Sequence, residues 1–391
     1  MGEQLDQIFV TLKHVIVGYV PEILQPVVGA LLSVALIIVV FASLFALTTV
    51  LERKGLGRMQ NRYGPNRVGP FGFLQPLADG VKSLTKEDIV PRAADKVVHF
   101  LAPLLLVVAA FMGYAVLPIG RNMIMANLDA GVLYFFAAGS IVELAIFMAG
   151  WSSHNKYSLL GAMRAIAQMI SYEVPLILSA IAVIMAAGSL STVSIVEKQA
   201  GYTGIFPHWY VFTPWGFAGF VLFMVAATAE SNRSPFDLPE GESEIIAGYY
   251  IEYSGFKFAL FFLAEYIGMF SISGIAITLF LGGWSAPFSF LTVIPSYLWF
   301  FAKLLFMIVM FIWIRGTLPR LRMDQLMNFA WKFMLPMSLI NLITAAVWHF
   351  TPNVFARWLI CTVFVVVPYV VFARGLMHSR RWEKRVYRYA E

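Results

Sequence analysis

Long apolar runs broken by short polar intervals dominate the chain. Nine of them, at about 26–50, 100–118, 130–150, 161–187, 213–230, 256–281, 291–314, 333–349 and 354–373, have the roughly 17–25 residues that a helix needs to cross a bilayer. The first, Pro26 to Val50, holds no charged residue. A few residues separate the last two, which form either a hairpin of spans or one span and a re-entrant piece. The pattern predicts an all-α polytopic membrane protein. Between the first two runs, Leu74, Leu77, Val81 and Leu84 recur at helical spacing opposite Asp79, Lys82 and Lys86, which predicts an amphipathic helix lying along the membrane surface. No inverted internal repeat and no low-complexity segment is visible.

Composition strengthens this picture. Apolar residue types make up 60% of the 391 residues and charged ones 13%, with mean hydropathy +0.76. A soluble domain carries about 25% charged residues, so no water-soluble reading fits. The single cysteine, Cys361, excludes an internal disulfide, a CxxC redox pair and a cysteine-ligated cluster. No metal site is expected, and any electrons the protein handles must come from elsewhere. Glu3, Asp6 and Glu22 interrupt a signal pattern in residues 1–25, which are expected to form an extracytoplasmic segment.

The net charge of +6 does not point to nucleic acid, because the basic residues sit between spans without interleaved aromatics. They set orientation instead, since Lys and Arg stay on the cytoplasmic side. Segment 51–97 holds Arg53, Lys54, Arg58, Arg62, Arg67, Lys82, Lys86, Arg92 and Lys96. Segment 315–332 adds Arg315, Arg320, Arg322 and Lys332, and the basic tail 374–391 adds six more. The loops of the other face hold little beyond Arg121 and Lys198. Nine spans with the N-terminus outside put every basic loop, and the C-terminus, in the cytoplasm.

Candidate chemistry gathers at that face. In segment 51–97, Gly64, Pro65, Gly69 and Pro70 fix tight turns ahead of the amphipathic helix, a fit for a pocket wall as well as for a lipid-interface helix. Segment 230–256 is acidic where the orientation rule predicts basic: Glu230, Asp237, Glu240, Glu242, Glu244 and Glu252 stand against Arg233 alone. A helix start capped by Asp237 with Glu240 in its first turn accounts for two of these acids. Crowding of all six suits proton handling. Charge also occurs inside the spans, where it is costly unless paired or functional: Glu143, Glu173, Glu265 and Lys303. Glu143, Glu265 and Glu173 lie about 8, 9 and 12 residues from the inner ends, or roughly 12–18 Å deep. Lys303, at a similar depth, is placed to pair with Glu265. Arg164, Gln168, Ser171 and Tyr172 form a stripe expected to face the bundle interior. The buried groups thus line an inward-opening half-channel for protons.

These motifs resemble those of the quinone-chamber membrane subunit of proton-pumping respiratory complex I, called the H subunit in bacteria and subunit 1 in mitochondria. The strongest blocks are Gly72–Glu87 (GFLQPLADGVKSLTKE) and Pro235–Glu244 (PFDLPEGESE). Glu52-Arg53-Lys54, Gln60–Pro70, Arg164–Val174 (RAIAQMISYEV) and Arg315–Gln325 (RGTLPRLRMDQ) support them, and the match spans Leu51 to Trp331. The resemblance implies a cavity, entered from the lipid, that guides a quinone substrate toward an iron–sulfur cluster in a neighbouring hydrophilic subunit. By position, Glu52, Arg53, Arg62, Phe236, Asp237 and Arg315 would border the quinone. Asp79, Glu143, Glu173, Glu230, Glu240, Glu242, Glu244, Glu252, Glu265 and Lys303 would carry protons. No cofactor is implied in the chain itself. The iron–sulfur clusters and FMN belong to hydrophilic partners on the cytoplasmic side, and the bilayer partners are small and antiporter-like membrane subunits together with lipids. The implied location is the bacterial inner membrane rather than the mitochondrial one. Related membrane-bound oxidoreductases and hydrogenases use similar anchor subunits. A stand-alone ion transporter would need ionisable groups in the outer half of the spans, and a pure anchor would leave the buried glutamates without a purpose.

Overall fold

The computed structural model describes residues 6–237 and 247–378. Each long apolar run folds as a helix, because backbone in lipid finds no water to bond and the helix satisfies its own N–H and C=O groups. In chain order the helices are α1 (Ile8–Gly18), α2 (Gln25–Met59), α3 (Gln75–Thr85), α4 (Lys96–Met112), α5 (Gly131–Ser152), α6 (Lys156–Ala187), α7 (Thr192–Gln199), α8 (Pro214–Glu230), α9 (Gly255–Phe280), α10 (Ser296–Thr317), α11 (Met323–Phe329), α12 (Leu335–Phe350) and α13 (Val354–His378). A π-helix, Ala330–Met334, runs α11 directly into α12. Strands β1 (Tyr202–Thr203) and β2 (Phe206–Pro207) form a short antiparallel hairpin.

Among the described residues eight helices are long and apolar enough to cross a bilayer: α2, α4 with the turn after it, α5, α6, α9, α10, the continuous Met323–Phe350, and α13. The ninth expected span is α8, apolar but 17 residues long, at the short limit of about 17–25 for a crossing helix. The last two spans are a hairpin of packed helices turned at residues 351–353, not a span with a re-entrant piece. Hydropathy does not predict helix α1, because its apolar stretch is too short for a span. Asp6 just before it accepts from Ser296 N and Oγ, both at 2.6 Å, and so fixes it beside the start of α10.

Hydropathy stops at the first charge, but several helices continue past it. Helix α2 runs on to Met59, so Glu52 and Arg53 lie on its last turns rather than in a loop. The expected 315–332 loop shrinks to residues 318–322. Asp95 Oδ1 caps α4 by accepting from Val97 N at 3.2 Å and Val98 N at 3.4 Å, and Asn155 Oδ1 caps α6 by accepting from Tyr157 N at 2.9 Å.

Helix α9 is the centre of the bundle. Its apolar window is 72% buried, against 6% in α2 and in α13, and it packs on α2, α4, α8 and α10. Helix α6 forms a second centre against α5, α8 and α12. Glu52, Arg233, Glu252, Glu265 and Arg315 gather at the end of the bundle that carries the basic loops, called here the basic end. Helix α3 lies across that end against α2 and α9. Its Leu74, Leu77, Val81 and Leu84 are exposed while Asp79 is partly covered, the amphipathic arrangement expected.

The loop between α2 and α3 folds back on α2. Gly72 makes the fold possible: its φ is +76°, and a Cβ there would sit 2.2 Å from the Pro65 carbonyl oxygen. Gly72→Ala meets both the left-handed penalty, about 1–2 kcal/mol for an L-residue, and a backbone clash that only movement of the loop relieves. We expect trypsin to cut the variant at Arg62 and Arg67 markedly faster than the parent, whereas an unchanged cleavage rate would mean that the turn tolerates a side chain.

Candidate functional site

Two assemblies of charged groups occupy the basic half of the bundle, and one residue belongs to both. The first surrounds Glu52, which is 4% exposed. Its carboxylate accepts from Arg233 Nη1 at 3.1 and 3.2 Å, from Tyr266 Oη at 2.7 Å, and from Arg315 Nη1. Arg233 is 6% exposed, lies over the Tyr266 ring at 4.0 Å, and pairs through Nε with Glu265 Oε1 at 3.3 Å. Burial works against the charge of Arg233, yet Glu265 and Glu52 beside it raise its pKa above the ordinary arginine value. Two carboxylates and two guanidiniums thus neutralise one another, with Glu52 and Arg233 buried and Arg315 at the partly exposed edge. Asp237 joins Glu265, Tyr266 and Arg315 in lining a small gap there.

Helix α6 positions the loop that delivers Arg233. Gln168 Nε2 donates to the carbonyls of Ala229 and Phe236, both at 2.7 Å, and Tyr172 Oη donates to Leu326 O at 3.0 Å. The Phe236 ring is buried 5.3 Å from that of Tyr172. The polar stripe of α6 therefore faces inward as expected and clamps the 231–237 segment.

On the outer face of this cluster Arg53 Nη1 pairs with Asp79 Oδ2 at 2.6 Å, tying α2 to α3. The two side chains are 51% and 33% exposed, so the pair contributes only about 0–1 kcal/mol to stability. Arg62 is exposed and donates to Gln60 at 2.8 Å, outside the cluster.

The second assembly is a cavity of about 110 Å³ among α4, α5, α6, α8 and α9, lined by Glu173, Glu230 and Glu265 with Ser231, Asn232 and Tyr249. One water needs about 10–15 Å³, so the cavity has room for several. Glu143 stands close enough to Glu173 and Glu230 to feel their charge. Glu143 Oε1 and Glu230 Oε2 are buried without a hydrogen-bond partner, while Glu173 accepts from Ser140 Oγ at 3.1 Å. Glu265 lines this cavity and also binds Arg233, so it joins the two assemblies. Glu252 lies apart from the cavity lining and accepts from Asn155 Nδ2 at 2.6 Å.

Lys303 does not pair with Glu265. Its Nζ donates to the carbonyls of Leu281, Gly283 and Ser285 at the far end of α9. That level is 16 residues beyond Glu265, roughly 24 Å along the helix. Glu240, Glu242 and Glu244 lie outside the described residues. The sequence pattern does not single out Arg233 or Tyr266 as functional. Arg233 does carry a signal, as the lone base among six acids, whereas nothing in the pattern marks Tyr266.

Comparison with known proteins gives a consistent result. The family described as NADH dehydrogenase matches residues 32–346. The NADH-quinone oxidoreductase H subunit of Dehalococcoides mccartyi (strain CBDB1) is 51% identical over 296 residues, 76% of this chain and 80% of that one. The corresponding H subunit of Burkholderia vietnamiensis is 47% identical over 332 residues, covering 84% and 93%. That of Brevibacillus brevis is 48% identical over 317 residues, covering 81% and 90%.

Proposed function

The chain belongs to the NADH dehydrogenase family that includes the NADH-quinone oxidoreductase H subunits, and on that premise we propose that it is the membrane subunit that houses quinone reduction in such an enzyme and couples it to proton transfer. The single observation that carries the coupling is Glu265, held by Arg233 at 3.3 Å on one side and lining the carboxylate cavity on the other. In this reading the quinone head group approaches the basic end beside Arg53, Arg62, Phe236, Asp237 and Arg315. Hydrophilic partners on that side supply the electrons from iron–sulfur clusters and FMN, and small and antiporter-like subunits flank the chain in the bilayer.

Reduction of a quinone takes up two electrons and two protons. The charge change at the head group perturbs the Glu52–Arg233–Glu265–Arg315 set, in which Arg233 contacts Glu52 at 3.1 Å and Glu265 at 3.3 Å and Arg315 also pairs with Glu52. In a low-dielectric site such a perturbation amounts to several kcal/mol. Glu265 passes it to Glu230, Glu173 and Glu143, and Glu240, Glu242, Glu244, Glu252 and Asp79 supply protons to them. In this reading the basic end faces the cytoplasm of a bacterium and α1 lies on the opposite side of the inner membrane, an orientation that the positive-inside rule supports.

The test uses the intact enzyme purified in mild detergent. Arg53→Ala and Asp237→Asn are each expected to reduce NADH:quinone turnover at least tenfold, a barrier change of about 1.4 kcal/mol. NADH oxidation by a soluble one-electron acceptor should stay unchanged. Because the exposed Arg53–Asp79 pair adds little stability, the Arg53 effect should fall on quinone KM and turnover without a comparable loss of thermal stability. Full quinone turnover in both variants would remove the quinone site from this end of the chain.

A further inference from the structure

At the end of the bundle opposite the carboxylates, three backbone carbonyls converge on one nitrogen. Lys303 Nζ lies 2.7 Å from Leu281 O, 2.8 Å from Gly283 O and 2.7 Å from Ser285 O, with the Trp209 ring centroid 4.1 Å away. The surrounding shell is built closely. Trp209 Nε1 donates to Ser285 Oγ at 2.7 Å. Gly282 and Gly283 both have positive φ, and a Cβ on them would meet Trp209 and Val196 at 2.4 and 2.5 Å. A ring of carbonyls replaces the hydration shell of a monovalent cation, an aromatic face adds cation–π attraction, and the C-terminus of a helix carries partial negative charge. The site has all three features and is filled by an ammonium on a tether.

Capping α9 does not by itself call for a charge. Gln199, buried beside the same helix end, donates to Thr278 O and Leu279 O, both at 3.1 Å, and accepts from Gly282 N at 3.1 Å with a neutral amide. A charge held in a covered site is costly, so its presence asks for an electrostatic use. We propose that Lys303 is the tethered occupant of a monovalent-cation site and that its fixed charge seals this end of the bundle against protons and free cations. The inference rests on the reading of the carboxylates as a proton path, since it explains why that path opens at one end only.

The experiment measures passive proton flux into proteoliposomes of the whole enzyme under an imposed potential, without NADH. Lys303→Met should raise the flux several-fold over the parent, and Lys303→Arg should stay tight. Lys303→Ala should leak as well, and ethylammonium, which refills the cage, should suppress that leak while choline does not. A role confined to holding the loop predicts lower thermal stability in the Met and Ala variants with parental flux, and that result overturns the seal. Adding Glu230→Gln to Lys303→Met separates the two readings. A leak that disappears supports both. A leak that persists keeps the seal but moves the proton path away from Glu230.

Discussion

Arg233→Met is expected to destabilise the purified enzyme by about 3–5 kcal/mol, the cost of removing one partner from a buried ion pair. Its quinone reductase activity should fall with it. The reason lies in what the arginine leaves behind. Glu52 loses the Nη1 donor shared by its two oxygens and keeps Arg315 and Tyr266, while Glu265 loses the Nε contact in a setting only 17% exposed. Methionine fills the space over the Tyr266 ring, so cavity formation is not the dominant cost. Arg233→Lys keeps the charge but cannot bridge two carboxylates with one planar fork, and an intermediate loss is expected. Adding Glu265→Gln to Arg233→Met removes the second carboxylate that Arg233 contacts and should restore part of the stability, a coupling read directly from the double-mutant cycle. Thermal inactivation midpoints of the parent, Arg233→Met, Glu265→Gln and the double variant decide it. Equal midpoints for the parent and Arg233→Met would mean that water reaches this cluster.

The same residues mark where sequence pattern stops being informative. Apolar runs of sufficient length locate the spans, because helix formation in lipid is compulsory and leaves a long continuous signal. Hydropathy misplaces the helix ends around Glu52, Arg53 and Arg315, because these helices continue as charged turns whose charges are matched by other helices. Residues 52, 233, 265 and 315 are scattered along the chain, and the packing of α2, α9 and α10 with the 231–237 loop held by α6 brings them together. Lys303 escapes the pattern for a different reason: residue counting gives the depth of a Cα, but a four-carbon stem carries its ammonium to another level. The inward face of α6 is legible, since Gln168 and Tyr172 share a helical stripe. That Gln168 holds the loop bearing Arg233 is not.

Glu230→Gln is expected to have the largest effect on coupling. Glu230 and Glu143 each carry a buried carboxylate oxygen without a hydrogen-bond partner, both are near Glu173, and Glu230 lines the cavity with it. Such an oxygen contributes little to holding the fold together, so its replacement by an amide of the same shape should leave assembly and thermal stability near parental values. The amide cannot take up a proton. Quinone turnover, which in the proposed mechanism must move protons past this point, should therefore fall at least tenfold, about 1.4 kcal/mol in the limiting barrier. NADH oxidation by a soluble acceptor should continue at the parental rate. Glu173→Gln should also lower turnover, and because its amide oxygen accepts the same bond from Ser140 Oγ, its assembly should stay parental. The decisive quantity is protons moved per quinone reduced, measured in proteoliposomes alongside the turnover rate. If Glu230→Gln pumps at the parental ratio and rate, the cavity is a packing defect among α4, α5, α6, α8 and α9 rather than a conduit, and the coupling must run through another part of the enzyme.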